Sequence, residues 1–600
     1  MLKSYALFLL LVLALPGFAR GEDYPHRTFF VTRSMTDENL IPYLEAAHPE
    51  IVQIGQYGAM FHEFASRESA KGSTMQLPFS GERKVLEFQG DLNGEIHDLG
   101  LKAVGHFRLV KAFGDWEQQS GFIDYYNNRW PEDLLGPKPH EDLLELVQRD
   151  ATGKPLQTSR YEKAQLAFCL SSPHARQMFK QMLKAAIDHG VDGVITTYNY
   201  NLGCSCPYCR ADFRKWLDER NLESVEFDSI PVKISGYPDP EEATELHWLG
   251  ARWGAESFKR NWDNIFIDYG RSLKPDLLLA QWNHMSNVSV GNERMFLPID
   301  LWGNGENYFW ESGGAAFVGK NHNLAEHKAG DAWLSHLVIR ELGGGKPFVM
   351  GKYERIRLAV SMAEGYATGA MGMGRYMRFE DPAGFEILVR TTNFLHDHRD
   401  LFEGAVPFAE VALILPRQSA WEGNIEPFDR FRETGRQLCE DQVLFEVVAD
   451  ENVTAERLRR FSKVVLPQGA KLSEAQSKAL VEFQPSQAKA TTIDAPWTVR
   501  ATAWSQRKRI LLHLVNYDRD EGETKEERSS SPSNERPIPV ESIAVDLQIP
   551  DGRSVSALKL HTPESGQSLE LNFHSNSGRV AFTIPRIVVY GVVEITTDSP

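Results

Sequence analysis

Residues 193–217 read GVITTYNYNLGCSCPYCRADFRKWL, and they decide how the rest of the chain is read. The stretch opens as a β-branched strand, passes through a Cys-x-Cys-x-x-Cys cluster at Cys204, Cys206 and Cys209, and closes as an amphipathic helix. Thiols this close in sequence cannot all pair with one another, because a disulfide holds its two Cα atoms about 5.5 Å apart with matched Cβ directions. They can converge on one tetrahedral ion. Cys169, which ends a short apolar strand in AFCLSSPHARQMFKQML (167–183), supplies a fourth sulfur. Four sulfurs close the coordination sphere of Zn²⁺ and leave no position for a substrate water, so the expected role is structural. The alternative is a disulfide from Cys169 to one cluster member, which an exported protein permits. Cys439, the fifth cysteine, reads as a small buried hydrophobe.

Outward from this stretch, residues 25–405 alternate short apolar strands with longer helical segments, the pattern of βα units around a parallel sheet. Strands are expected at 28–33, 51–57, 101–110, 193–201, 277–284, 306–312, 346–354 and 369–379, which makes a (β/α)8 TIM barrel. Most end in polar or aromatic residues, and in such a barrel those ends gather at the catalytic mouth. His106, Arg108, Asn199 and His284 are expected to hydrogen-bond a ligand there, with Tyr57, Tyr198, Trp282, Trp310 and Tyr376 as stacking faces.

The order Cys, strand, Asn-rich residues, Cys-x-Cys-x-x-Cys and then Ala-x-Phe-Arg-x-Trp-Leu resembles glycoside hydrolase family 42, the β-galactosidases with a trimerisation domain. The resemblance implies a structural zinc held by Cys169, Cys204, Cys206 and Cys209. It also implies an acid/base Glu after an Asn at the end of strand four and a nucleophile Glu at the end of strand seven. Here Asn199 is followed by Tyr200, and Val349-Met350 is followed by Gly351, with Glu354 three residues later. Glycoside hydrolysis needs two carboxyl groups flanking the bond. Glu311, ending strand six, and Glu354, ending strand seven, are the expected pair, in an enzyme that cleaves an oligo- or polysaccharide. The alternatives are a carbohydrate-binding barrel without hydrolysis and a barrel that is only a scaffold for interaction.

The chain opens with MLKSYALFLLLVLALPGFARG, a secretory signal peptide over residues 1–21, so a secreted or periplasmic protein without a membrane span is expected after cleavage. The net charge of −17 argues against nucleic acid, whose phosphates such a surface repels. Aromatics at 11%, including 13 Trp, suit a carbohydrate partner, whose ring faces stack on them. Residues 406–495 read as a small open α/β domain that resembles the family's trimerisation domain in shortened form, which implies a homo-oligomer. Residues 496–600 read as seven strands of an antiparallel β-sandwich, interrupted at 518–539 by a charged Ser/Pro-rich segment expected to be disordered.

Overall fold

A computed structural model describes residues 28–31, 35–59, 81–160, 163–197, 203–231, 243–283, 293–311, 324–329, 332–350, 355–369, 382–485, 489–524, 527, 536–550, 553–576 and 578–598. Within them, seven strands form one all-parallel sheet in chain order: β1 (Phe29–Val31), β2 (Ile51–Gly58), β3 (Lys102–Arg108), β4 (Gly193–Thr197), β5 (Leu278–Asn283), β6 (Tyr308–Glu311) and β7 (Phe348–Met350). Each falls inside a stretch read as a strand from the sequence, except that β2 runs one residue past its expected end. The expected eighth strand, and with it Tyr376, lies almost wholly outside the described residues, as does the expected signal peptide. Among the described residues no helix is long and apolar enough to cross a membrane.

These strands are buried on both faces, which is why they read as near-continuous apolar runs. Phe29, Ile51, Val104, Ile195, Ala280, Tyr308 and Val349, one from each strand, meet in a single interior cluster. Val52, Ala103 and Phe309 pack on one side against the helices, and Phe107, Val194 and Leu279 on the other. The sheet curls on itself. In an open sheet β1 and β6 would stand about 24 Å apart, five spacings of roughly 4.8 Å. Instead the Phe29 and Tyr308 ring centroids are 4.9 Å apart, and the Tyr308 hydroxyl donates to Gln53 Oε1 on β2 at 3.2 Å. The fold is a (β/α)8 barrel.

The helices that matter below are α1 (Glu82–Asp98), α2 (Pro173–Asp188), α3 (Pro207–Asp218), α4 (Glu245–Asp263), α5 (Trp333–Leu342) and α6 (Arg355–Thr368). At the N-terminal ends of the strands the buried charges are tied down. Asp192, just before β4, accepts from Ala103 N at 2.9 Å and lies 2.8 Å from His97 Nε2. Glu306, before β6, pairs with Arg294 at 2.5 Å. This end of the barrel carries stability, and the opposite end is open to chemistry.

The small α/β domain has three parallel strands, Val411–Leu415 flanked by Phe445–Ala449 and Lys463–Val465. The apolar run at 406–416 divides: Val406–Pro407 pairs with Trp504 and Ser505 of the C-terminal sheet, and only Val411–Leu415 enters the small domain. The C-terminal part is a sandwich of two antiparallel sheets. Leu512, Leu514, Val593 and Ile595 from one sheet meet Ile543, Val545, Phe582 and Ile584 from the other. Residues 518–521 are not part of a disordered loop. Arg519 is buried and bridges to Pro537, which ties the base of the segment to the sandwich.

Two histidines are buried neutral. His336 on α5 hydrogen-bonds through Nδ1 to the Thr368 hydroxyl at 2.9 Å, and His513 through Nδ1 to the Tyr590 hydroxyl at 2.7 Å. Burial pushes both imidazoles down to about 3. Their folded values lie below the unfolded value near 6.5, so the unfolded chain takes up protons that the folded chain refuses as pH falls. Stability is full above about pH 6.5 and should fall by about 2–3 kcal/mol per histidine between pH 6.5 and 4.5. Urea unfolding at the two pH values, with His513→Gln expected to remove its share of the loss, measures this.

Candidate functional site

The C-terminal strand ends are level. Gly58, Arg108 and Thr197 lie in one register row, in phase with the interior residues Val104 and Ile195, and Asn283, Glu311 and Met350 in another, in phase with Phe309, which packs against the helices. Just below the rim, His106 shares a hydrogen bond between Nδ1 and Gln56 Oε1 at 3.1 Å, and its ring lies 5.7 Å from Trp282. Trp282 stacks on Trp310 at 4.4 Å with 26° between the planes. Val104, two residues before His106, sits in the barrel-interior cluster with Trp282 and Trp310. The barrel therefore brings together His106, Trp282 and Trp310, three residues picked out in the sequence. It adds Gln56, whose sequence signal is a Gln at 53 and again at 56 in an otherwise apolar strand.

Tyr57 is a correction. Simple alternation from Ile51 and Gln53 puts residue 57 inside the barrel with a face for substrate. The register between β2 and β3 shifts between Gln53 and Gln56, at Gly55 with φ +87°. That irregularity reverses the parity, so Tyr57 turns outward into the helix layer. It is fully buried there, and its hydroxyl accepts from Asn93 Nδ2 on α1 at 3.1 Å. Gly105 makes the room: a Cβ at that position would stand 2.4 Å from the Tyr57 ring. Burial pushes the phenol pKa well up, and Tyr57 offers nothing to a ligand. Arg108 is half-buried, its guanidinium 5.3 Å from the centre of the Phe113 ring.

Glu311 closes β6; its side chain, and the whole of Glu354, Tyr198, Asn199, His284 and Tyr376, lie outside the described residues.

Beside the mouth, the sequence cluster converges as its spacing requires. The sulfurs of Cys169, Cys204, Cys206 and Cys209 all lie within 4.8 Å of one another, and all four side chains are buried. Cys169 Sγ is 3.6 Å from Cys206 Sγ and 3.4 Å from Cys209 Sγ. A disulfide would bring two sulfurs to about 2.05 Å, whereas a tetrahedron with metal–sulfur distances near 2.3 Å has edges of about 3.8 Å. The four thiols have the second geometry, and all five cysteines of the chain are free. Cys206 caps α3, its sulfur accepting from Cys209 N at 3.4 Å, and Arg149 N donates to Cys204 Sγ at 3.4 Å. Hydrogen bonds from the other thiols, Cys169 first, hold the Cys206 thiol far below its usual value, while contacts with Cys204, Cys206 and Cys209 and burial push Cys169 well up. Phe213, Trp216, Leu217 and Trp253 enclose the cluster. Four buried sulfurs converging in this way are the donor set a soft or borderline cation completes, so these residues can hold a metal ion.

No protein-family model matches the chain, and no curated protein matches it by sequence. Solved structures match it in fold. α-L-Fucosidase isoenzyme 2 from Paenibacillus thiaminolyticus superposes with a TM-score of 0.59 at 13% identity, over 96% of this chain and 100% of its own. A catalytic mutant of Gan42B, a GH42 β-galactosidase from G. stearothermophilus, gives 0.58 at 11% identity, over 95% and 98%. The exo-carrageenase GH42 from Bacteroides ovatus gives 0.53 at 10% identity, over 96% and 82%. Along nearly its whole length this chain has the fold of these barrel glycosidases.

Proposed function

We propose that this protein is an exported O-glycosyl hydrolase that cleaves an oligo- or polysaccharide at the barrel mouth, with Glu311 and Glu354 as its carboxylate pair. The observation that supports this best is the rim itself. Glu311 ends β6 in register with Asn283 and Met350, beside a buried layer in which Trp282 stacks on Trp310 and His106 is held by Gln56. Sugars are bound by such a mixture of flat apolar faces and fixed polar groups. One carboxyl group protonates the departing oxygen and the other attacks the anomeric carbon or activates water. His106 and Arg108 hydrogen-bond substrate hydroxyls, together with Asn199 and His284, and Tyr198 and Tyr376 add stacking surface.

The four-cysteine centre holds Zn²⁺ in a structural role. With four sulfur ligands the ion has no open position, so it ties the loop after β4 to the strand end before α2 and takes no part in hydrolysis. The small α/β domain resembles a trimerisation domain in shortened form, and the homo-oligomer this implies is tested by light scattering.

The purified mature protein should turn over at least one member of a panel of aryl β-galactosides, α-L-fucosides and carrageenan oligosaccharides. A second reading, a barrel that binds carbohydrate without cutting it, is favoured by Tyr200 standing after Asn199 where an acid would be expected. Saturable binding of a panel member with no product after prolonged incubation establishes that reading and removes the first.

A further inference from the structure

The C-terminal sandwich grips one barrel helix at both ends. That helix, α6, begins five residues after β7 ends and one residue after Glu354. At its far end, Thr502 and Trp504 of the sandwich both donate to Ala367 O, the indole at 3.0 Å. Gly369 follows with φ +97°, and a Cβ there would stand 2.8 Å from the Trp504 ring. The guanidinium of Arg340 on α5 lies 4.1 Å from the centre of the same ring.

At the near end the contact is ionic and buried. Arg357, in the first turn of α6, is 2% exposed and its Nη2 is 4.0 Å from Glu521 Oε1. The side chain of Arg519, also 2% exposed, pairs with the same oxygen and donates through Nη1 to Tyr517 O at 3.1 Å. The other carboxylate oxygen, Oε2, accepts from Leu324 N at 2.8 Å. Leu324 stands in the chain leaving β6, and Arg357 in the chain leaving β7. One carboxylate from the sandwich thus joins the chain thirteen residues after β6 to the first turn of the helix that follows β7.

We infer that Glu521 is a positioning residue for the barrel mouth: it holds the start of α6 and the chain at Leu324 in place, and so sets the geometry between the ends of β6 and β7. The sandwich is then a working part of the barrel, unlike an appended module joined through a wet, exchangeable interface. A buried carboxylate between two guanidiniums suits this role, since removing its charge takes an ion-pair partner from both cations in a low-dielectric site. The catalytic consequence rests on the glycosidase reading above; the structural one does not.

The test uses the full chain with Glu521→Gln, which keeps the shape and removes the charge, and Arg357→Gln alone and in combination. Hydrogen exchange followed by mass spectrometry should be roughly tenfold faster in peptides covering 324–329 and 355–360 of Glu521→Gln, and unchanged in peptides covering 203–217 and 366–369. The double variant should be no worse than either single one, since both act through the same pair. On a glycoside that the wild type cleaves, kcat should fall about tenfold or more with KM within about twofold, as expected when reacting groups are displaced and binding is kept. Unchanged exchange at 324–329 and 355–360, or equal acceleration in all four regions, overturns the inference. A wild type that cleaves nothing in the panel sinks the glycosidase reading and leaves the exchange comparison to decide the role of Glu521.

Discussion

Cys206→Ser should yield a protein without stoichiometric metal and with its first thermal transition lowered by roughly 10 °C, a loss of several kcal/mol of local stability. The wild type, purified without chelator, should carry one zinc per chain. The argument lies in what the four sulfurs join. Cys169 stands just before α2, Cys204 and Cys206 follow β4, and Cys209 sits in the first turn of α3, so one ion would tie the loop entering α3 to the strand end before α2. Serine cannot replace a thiolate at this position, because its hydroxyl is not ionised at neutral pH and is a poor ligand for a soft site. Without the ion, the buried thiols around Cys169 have no cation to balance shared negative charge, and residues 203–231 should become the earliest protease target. Cys439→Ser is the control. Cys439 is 5% exposed in the main core, far from the cluster in sequence, and its loss should cost only about 1–2 kcal/mol with metal content unchanged. Wild-type protein with no metal and two cluster thiols oxidised would refute the zinc assignment.

The barrel was legible because its strands are buried on both faces: β2, β4 and β5 are apolar runs that need no alternation to be recognised. The cysteine centre was legible because four thiols that converge on one point carry the close Cys-x-Cys-x-x-Cys spacing in the chain. What escaped depended on pairing between distant residues. A single irregularity at Gly55 moved Tyr57 from the interior to the helix layer, and nothing in IVQIGQYG announces which of its glycines breaks the parity. The run at 406–416 is almost continuously apolar, yet its first two residues pair with Trp504 and Ser505, almost a hundred positions away. In the same way residues 569–576 divide between two sheets, Leu569–Glu570 pairing with Lys559 and Leu560 and Phe573–Asn576 with the strand Arg579–Ile587. Glu521 belonged to a stretch whose composition reads as disorder, and its role emerged only when Arg357 and Leu324 were brought to it. Of the proposed mouth residues, His106, Trp282 and Trp310 lie together because each stands two residues beyond an interior residue of its own strand, Val104, Ala280 and Tyr308.

Glu354→Gln should lower turnover of any cleaved glycoside by at least about a thousandfold, and the companion Glu311→Gln should separate the two roles. If Glu354 attacks the anomeric carbon, its amide has no charge to donate and every substrate suffers alike. If Glu311 is the proton donor, its loss should cost about 10²–10⁴-fold on a natural sugar leaving group, which departs as a strongly basic alkoxide unless protonated. The same variant should cleave a nitrophenyl glycoside at close to the wild-type rate in the first step, because nitrophenolate leaves without a proton. The opposite pattern, with Glu354→Gln spared on the activated substrate, exchanges the two assignments. The stereochemistry of the product reports their spacing: retention requires carboxyl groups about 5.5 Å apart and inversion a gap of about 6.5–9.5 Å that admits water. Equal activity of both variants and the wild type on both kinds of substrate would remove this pair from the mechanism and return the search to the other strand ends of the rim.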